Sequence, residues 1–148
     1  MKRSFLLGLG LISATAVAIP ATVIAQSAPP EPPATYYGSA NGATVGQKVL
    51  AIVYNGNTPT VCGEGQVLEH EGATVYTVDV VTNSQVPGCG SPGRTIRFYL
   101  PSGPGMNAMF ASETATWSGP GGYERNLTLK ELDRAGELPM VASDGALG

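Results

Sequence analysis

"GCGSPGRTIRFYL", residues 88–100, decides how the chain folds. Its first six letters spell G-x-G-x-x-G, the glycine pattern that opens a helix in dinucleotide-binding folds. The helix is a physical requirement there, because the pyrophosphate rests on the N–H groups of its first turn. The residues after Gly93 alternate strictly instead: Ile96, Phe98 and Leu100 on one side, Arg97 and Tyr99 on the other. A period of two is a strand with one buried face. Pro92 also removes one N–H that a phosphate cradle would use. Glu113 stands twenty residues beyond Gly93, the offset of a ribose-binding acid, but it lies in a strand-turn-strand region. The stretch therefore reads as a loop feeding a strand, and no cofactor is expected.

Outward from this strand the same grammar repeats. "QKVLAIVYN" (47–55) is β-branched and apolar on both faces, with Val49, Ala51 and Val53 opposite Leu50, Ile52 and Tyr54. That pattern suits a strand covered on both sides. "NGNTP" (55–59) is a turn, because Asn-Gly accepts positive φ. "QVLEH" (66–70) is a short strand, "EG" (71–72) a turn, and "ATVYTVDVV" (73–81) a strand with Tyr76, Val78 and Val80 on one face. "YYGSA" (36–40), "MFASETATW" (109–117) and "ERNLTLK" (124–130) bring the total to about seven strands, at the spacing of an all-β sandwich or barrel. "TLKELDRAG" (128–136) would give one helical turn through Thr128 and Glu131.

The N-terminus sets the compartment. Lys2 and Arg3 precede the apolar run "SFLLGLGLISATAVAI", and Val23 and Ala25 place small residues before a cut at Ala25/Gln26. These are the parts of a secretory signal peptide over 1–25, the other reading being a retained membrane anchor. No second long apolar stretch comes after it, so no span is expected after cleavage. "SAPPEPPAT" (27–35) makes 26–35 a Pro-rich spacer. The domain is placed at 36–130, with a flexible tail over 131–148. Of eight Lys and Arg, two fall in the signal segment, leaving six against eleven acidic residues, or −5. Nucleic acid is not an expected partner, since binding it needs a basic patch. Secretion, extracellular or periplasmic, also gives Cys62 and Cys89 an oxidising setting. One disulfide is the simplest use of them. Closing a loop of about 27 residues is worth roughly 3 kcal/mol in the chain-entropy model. A two-thiol metal site is the alternative, with His70 the only histidine.

Catalytic constellations are thin, and the protein is not expected to be an enzyme. His70 sits between Glu69 and Glu71, and no Ser occupies a G-x-S-x-G elbow. Glu69, Glu71, Asp79 and Glu113 are scattered over alternating strands, with no D-x-D loop to gather a cation. Aromatic residues carry the better hint. Trp117 and Tyr123, with Tyr36, Tyr37 and Tyr99, would form a platform for a sugar or a protein; the competing role for Trp117 is a core residue. Tyr99, opposite Phe98 and Leu100, is the expected exposed aromatic. Asn126 in "NLT" matches a glycosylation acceptor.

The order of these pieces resembles that of small secreted bacterial surface modules, the transthyretin-like or carboxypeptidase-regulatory-like domains. "YYGSANGATVGQKVLAIVYNG", "VCGEG", "ATVYTVDV", "PGCGSPGRTIRFYL" and "ATWSGPGGYERNLTL" carry the resemblance across roughly residues 35–130. It implies a noncatalytic structural or adhesive module. The expectation is an all-β chain, an antiparallel sandwich of about seven strands, transthyretin-like or immunoglobulin-like, with Cys62 joined to Cys89. Its partner would be an envelope polysaccharide, held by Tyr99, Trp117 and Tyr123, or a surface protein. A protease inhibitor presenting the loop 83–93 is a further alternative.

Overall fold

Residues 28–132 are described in a computed structural model of the chain, and no helix occurs among them. The expected signal peptide lies outside the described residues, as does nearly all of the expected tail. The strands are β1 (Ala34–Asn41), β2 (Lys48–Asn55), β3 (Thr58–His70), β4 (Ala73–Val80), β5 (Thr95–Leu100), β6 (Met109–Thr116), β7 (Gly121–Glu124) and β8 (Leu127–Glu131). Two of them differ from the sequence reading. The short strand expected at 66–70 is the end of the 13-residue β3. The strand expected over 124–130 is broken at Arg125–Asn126, and Thr128 and Glu131 are both in β8 rather than a helical turn.

The all-β expectation and the disulfide hold. The two-sheet sandwich does not, because one sheet closes on itself. Antiparallel neighbours run β4-β3-β2-β5-β6-β8, and β1 joins the two ends. One edge of β1 pairs antiparallel with β4, from Ala34↔Val80 to Ser39↔Val75. Its other edge runs parallel to β7 over Ala34–Tyr37 and to β8 over Ala40–Asn41. The result is a seven-stranded barrel, with β7 as an extra ribbon beside β1. Closure of this kind removes the unpaired edges that a sandwich leaves exposed.

Period-two patterning fills the barrel. Val49, Ala51 and Val53 from β2, Tyr76, Val78 and Val80 from β4, and Ile96, Phe98 and Leu100 from β5 share one buried cluster. Phe98 lies edge-on to Tyr36 and to Tyr76, both at 5.8 Å between ring centroids. Each such side chain is worth about 1.5–3 kcal/mol when fully buried. The opposite face of β2 is also apolar for a reason: Ile52 and Tyr99 are buried on the outside of the barrel with Ala108, flanked by Leu50, Tyr54, Phe110 and Leu132.

Tight curvature comes from two devices on β3. Cys62 is an extra residue opposite the Ala51–Ile52 step of β2, a bulge that turns its side chain inward. Gly63 and Gly65 come next. A Cβ at Gly63 would lie 2.1 Å from the Asp79 carbonyl oxygen, and one at Gly65 would lie 1.9 Å from that of Thr77. Only glycine lets β3 lie against β4 in this way. Beyond them, Glu71 and Gly72 turn the hairpin with φ of 51° and 80°, the two positive values of a type I′ turn.

The disulfide grows from the bulge. Cys62 and Cys89 are bonded with Cα atoms 5.3 Å apart, at 2% and 0% exposure. The bond ties β3 to the loop 81–94, which also hydrogen-bonds to itself through Asn83 N to Gly90 O (2.8 Å) and Gly90 N to Val81 O (2.9 Å). "GCGSPG" is the anchor of that loop. A Cβ at Gly90 would sit 2.4 Å from Trp117 Nε1, so this glycine is a packing requirement.

Gly65→Ala should lower unfolding stability by about 2 kcal/mol or more, the range of overpacked cores. Gly122→Ala, whose Cβ would meet only an ordinary 3.6 Å contact, should stay within about 0.5 kcal/mol. Urea denaturation of both variants checks this. The two sulfurs should resist alkylation in native buffer with mild reductant and label together once denaturant is added. Reduction should then cost roughly 3 kcal/mol in refolding stability.

Candidate functional site

The three aromatics expected to form a platform are not brought into one exposed row. Tyr99 faces outward as the alternation requires, yet it is 9% exposed, closed in by its neighbours on β2 and β6. Trp117 is 7% exposed and belongs to the main core. Its Nε1 is buried with no hydrogen-bond partner among the described residues, a cost of about 1–3 kcal/mol set against burial of the indole. Tyr123 is half-buried and stacks on Tyr36 at 5.4 Å. Tyr36 is a core residue, and Tyr37 is the exposed member of the set at 45%. His70 is exposed at the end of β3, paired in register with Ala73 beside the turn. The loop 83–93 is folded back on itself by the bonds above and by Gly88 N to Asn83 Oδ1 (2.8 Å). It is not the extended strand that a protease cleft would take.

The sequence did not point to a seam between β6 and the β7–β8 run. Met109, Phe110 and Ala111 of β6 pair with Glu131, Lys130 and Leu129 of β8. Beyond Ala111 the two sides splay, because β7 pairs with β1 instead. Strand β6 also carries two extra residues between Phe110 and Thr114, opposite Arg97–Tyr99 of β5. Side-chain bonds gather around the splay, and those to Thr116 and to Glu113 reach across it. The Tyr76 hydroxyl donates to the Arg125 carbonyl at 2.7 Å, and the Tyr36 hydroxyl donates to that of Thr116 at 3.3 Å. Glu113 Oε2 accepts from the Thr128 N–H at 2.6 Å. Asn126 Oδ1 accepts from Ser39 N at 2.9 Å and Ser39 Oγ at 3.1 Å, so this amide already holds β1.

Among the described residues, the groups whose acidity the fold clearly moves reach this seam. Burial pushes Tyr36 up to about 12, with Tyr123 adding to it and Arg125 opposing. Burial likewise raises Tyr76, against the pull of Arg125. The Thr128 N–H holds the Glu113 carboxyl below its ordinary value. The causes differ: burial disfavours the charged phenolates of the two tyrosines, whereas a backbone N–H favours the charged carboxylate of Glu113.

Two adjoining hollows mark the outer surface away from the seam. One, of about 450 Å³, crosses β2, β3 and β4 between Lys48, Glu64, Gln66, Thr77 and Asp79, with Gly46 and Gly65 in its lining. Its neighbour, about 240 Å³, shares Gly46 and Lys48 and is walled by Pro101, Pro104 and Met106.

Stability should fall at both ends of the pH scale through the seam. Glu113 is lowered in the folded state, so its contribution is complete above the usual glutamate value and is lost as pH falls through the folded one. Glu113→Gln should flatten part of the acid limb. Tyr36 and Tyr76 are raised, so their contribution is complete below the usual tyrosine value and is lost as pH rises toward 12. Tyr36 and Tyr76 should ionise only as the fold is lost, monitored by phenolate absorbance against circular dichroism.

No protein-family model, curated protein or solved structure matches this chain.

Proposed function

We propose that the protein is an exported, noncatalytic module that adheres to or reinforces a cell envelope. The observation that carries this reading is the use made of the perturbed groups. Tyr36, Tyr76 and Glu113 are each committed to a backbone atom of another strand or of the β7–β8 linker. Perturbed acidity marks catalytic sites when the group faces a cleft; here it accompanies architecture. A buried disulfide supports an oxidising compartment, and the leader-like sequence over 1–25 supports export. An adhesive role places the working surface on the outer face of the barrel, where side chains can vary without touching the core.

Full-length protein expressed in a bacterial host should be recovered outside the cytoplasm, beginning at Gln26 with Cys62 and Cys89 oxidised. It should sediment saturably with isolated bacterial envelopes. Sedimentation no greater than that of an unrelated exported protein of similar charge, or a hydrolytic activity lost in His70→Ala, would overturn the reading.

A further inference from the structure

We propose that the groove across β2, β3 and β4, with the adjoining hollow at Pro101–Met106, binds a neutral oligosaccharide. The inference deepens the adhesive reading above and rests on it. Pairing aligns the side chains that line it: Lys48 opposes Gln66 across β2–β3, and Gln66 opposes Thr77 across β3–β4. Their outward positions put an ammonium, an amide, a hydroxyl and two carboxylates around one space of about 450 Å³. That lies within the 300–1,000 Å³ or so of ordinary ligand sites.

Existing contacts hold these groups in place. Lys48 Nζ lies 2.5 Å from Glu64 Oε1, the Thr35 hydroxyl donates to Asp79 Oδ1 at 2.5 Å, and Gln66 Nε2 donates to Gly46 O at 3.3 Å. Each retains capacity: the ammonium two further hydrogens, the carboxylates their other oxygens, the amide its oxygen. Sugar hydroxyls both donate and accept, so they satisfy such a mixed set where a simple ion would not. Two carboxylates to one ammonium also disfavour an anionic ligand. Gly46, with no atom nearer than 4.0 Å to where its Cβ would lie, leaves the lining low where a ring must approach.

The second hollow supplies what the first lacks. Pro101, Pro104 and Met106 are apolar, and Gly46 and Lys48 border both spaces. A pyranose has polar edges and an apolar C–H face. Successive rings of one chain would place hydroxyls among Lys48, Glu64, Thr77 and Asp79 and a C–H face against Met106. Aromatic stacking through Tyr99 or Trp117 is not part of this arrangement.

Titrating isotope-labelled protein with cellohexaose, chitohexaose and mannohexaose, and with hexagalacturonate as the anionic control, tests it by amide chemical shifts. At least one neutral hexaose should give saturable shifts centred on Gly46, Lys48, Gly65, Thr77 and Asp79. Lys48→Ala and Thr77→Val should each weaken that binding at least tenfold, while Tyr37→Ala leaves it unchanged. Lys48 and Thr77 are exposed, so both variants should fold, and unchanged dispersion of the remaining amides checks this. No saturable shift with any neutral hexaose, or wild-type affinity in both groove variants, would overturn the inference. Envelope sedimentation that persists in Lys48→Ala sinks the groove and leaves the adhesive reading intact. Hexaose binding without sedimentation does the reverse.

Discussion

Strand β1 has both of its edges in use, and the rest of the barrel depends on that. On one side it takes the antiparallel ladder of β4, and on the other the parallel ladders of β7 and β8. A sheet that must meet itself after seven strands has to curve sharply, and it does so where side chains are smallest. Gly63 and Gly65 let β3 approach the β4 carbonyls, and the Cys62 bulge adds local twist. The disulfide then fixes the bulge to the loop that leads into β5.

Parallel pairing on one edge of β1 leaves a geometric remainder. Strand β7 cannot serve both β1 and β6, so the hairpin from β6 to β8 opens along part of its length. The opening is where the barrel places two tyrosine hydroxyls and a half-buried carboxylate, each hydrogen-bonded to a backbone atom. The inner face and the seam are thereby occupied with holding the sheet closed. The outer face of β2–β4 takes part in that duty through the Thr35–Asp79 bond and otherwise presents mixed polar groups around the groove.

Local pattern and long-range pairing were unequally legible in the sequence. The alternation of β5, the two apolar faces of β2 and the turn at Glu71–Gly72 are local signals, and each appears where the residues place it. The Cys62–Cys89 bond came from a count of two in an exported-type chain. Closure through β1 could not be read, because nothing in "YYGSA" says which strands lie beside it. The same gap explains the aromatics. Alternation correctly put Tyr99 outside the barrel but not its burial, which depends on Ile52 and Ala108 from other segments. Tyr76 reads as a core residue by pattern, whereas Tyr36 reads as part of the aromatic platform; the bonds of Tyr36 to Thr116 and of Tyr76 to Arg125 join positions 80 and 49 residues apart. The groove residues are ordinary surface letters singly, and only the β2–β3–β4 register assembles them.

The parallel contact between the first and last described strands has a mechanical consequence. Tension applied at the start of β1 and the end of β8 pulls two parallel neighbours in opposite directions along their length. The load falls on their hydrogen bonds as shear, so the bonds must yield together rather than unzip one at a time. The crosslink between Cys62 and Cys89 lies away from that clamp and withholds a 27-residue span from extension even after the clamp fails. A chain wired this way resists stretching at its ends and, once opened, lengthens by less than its full contour.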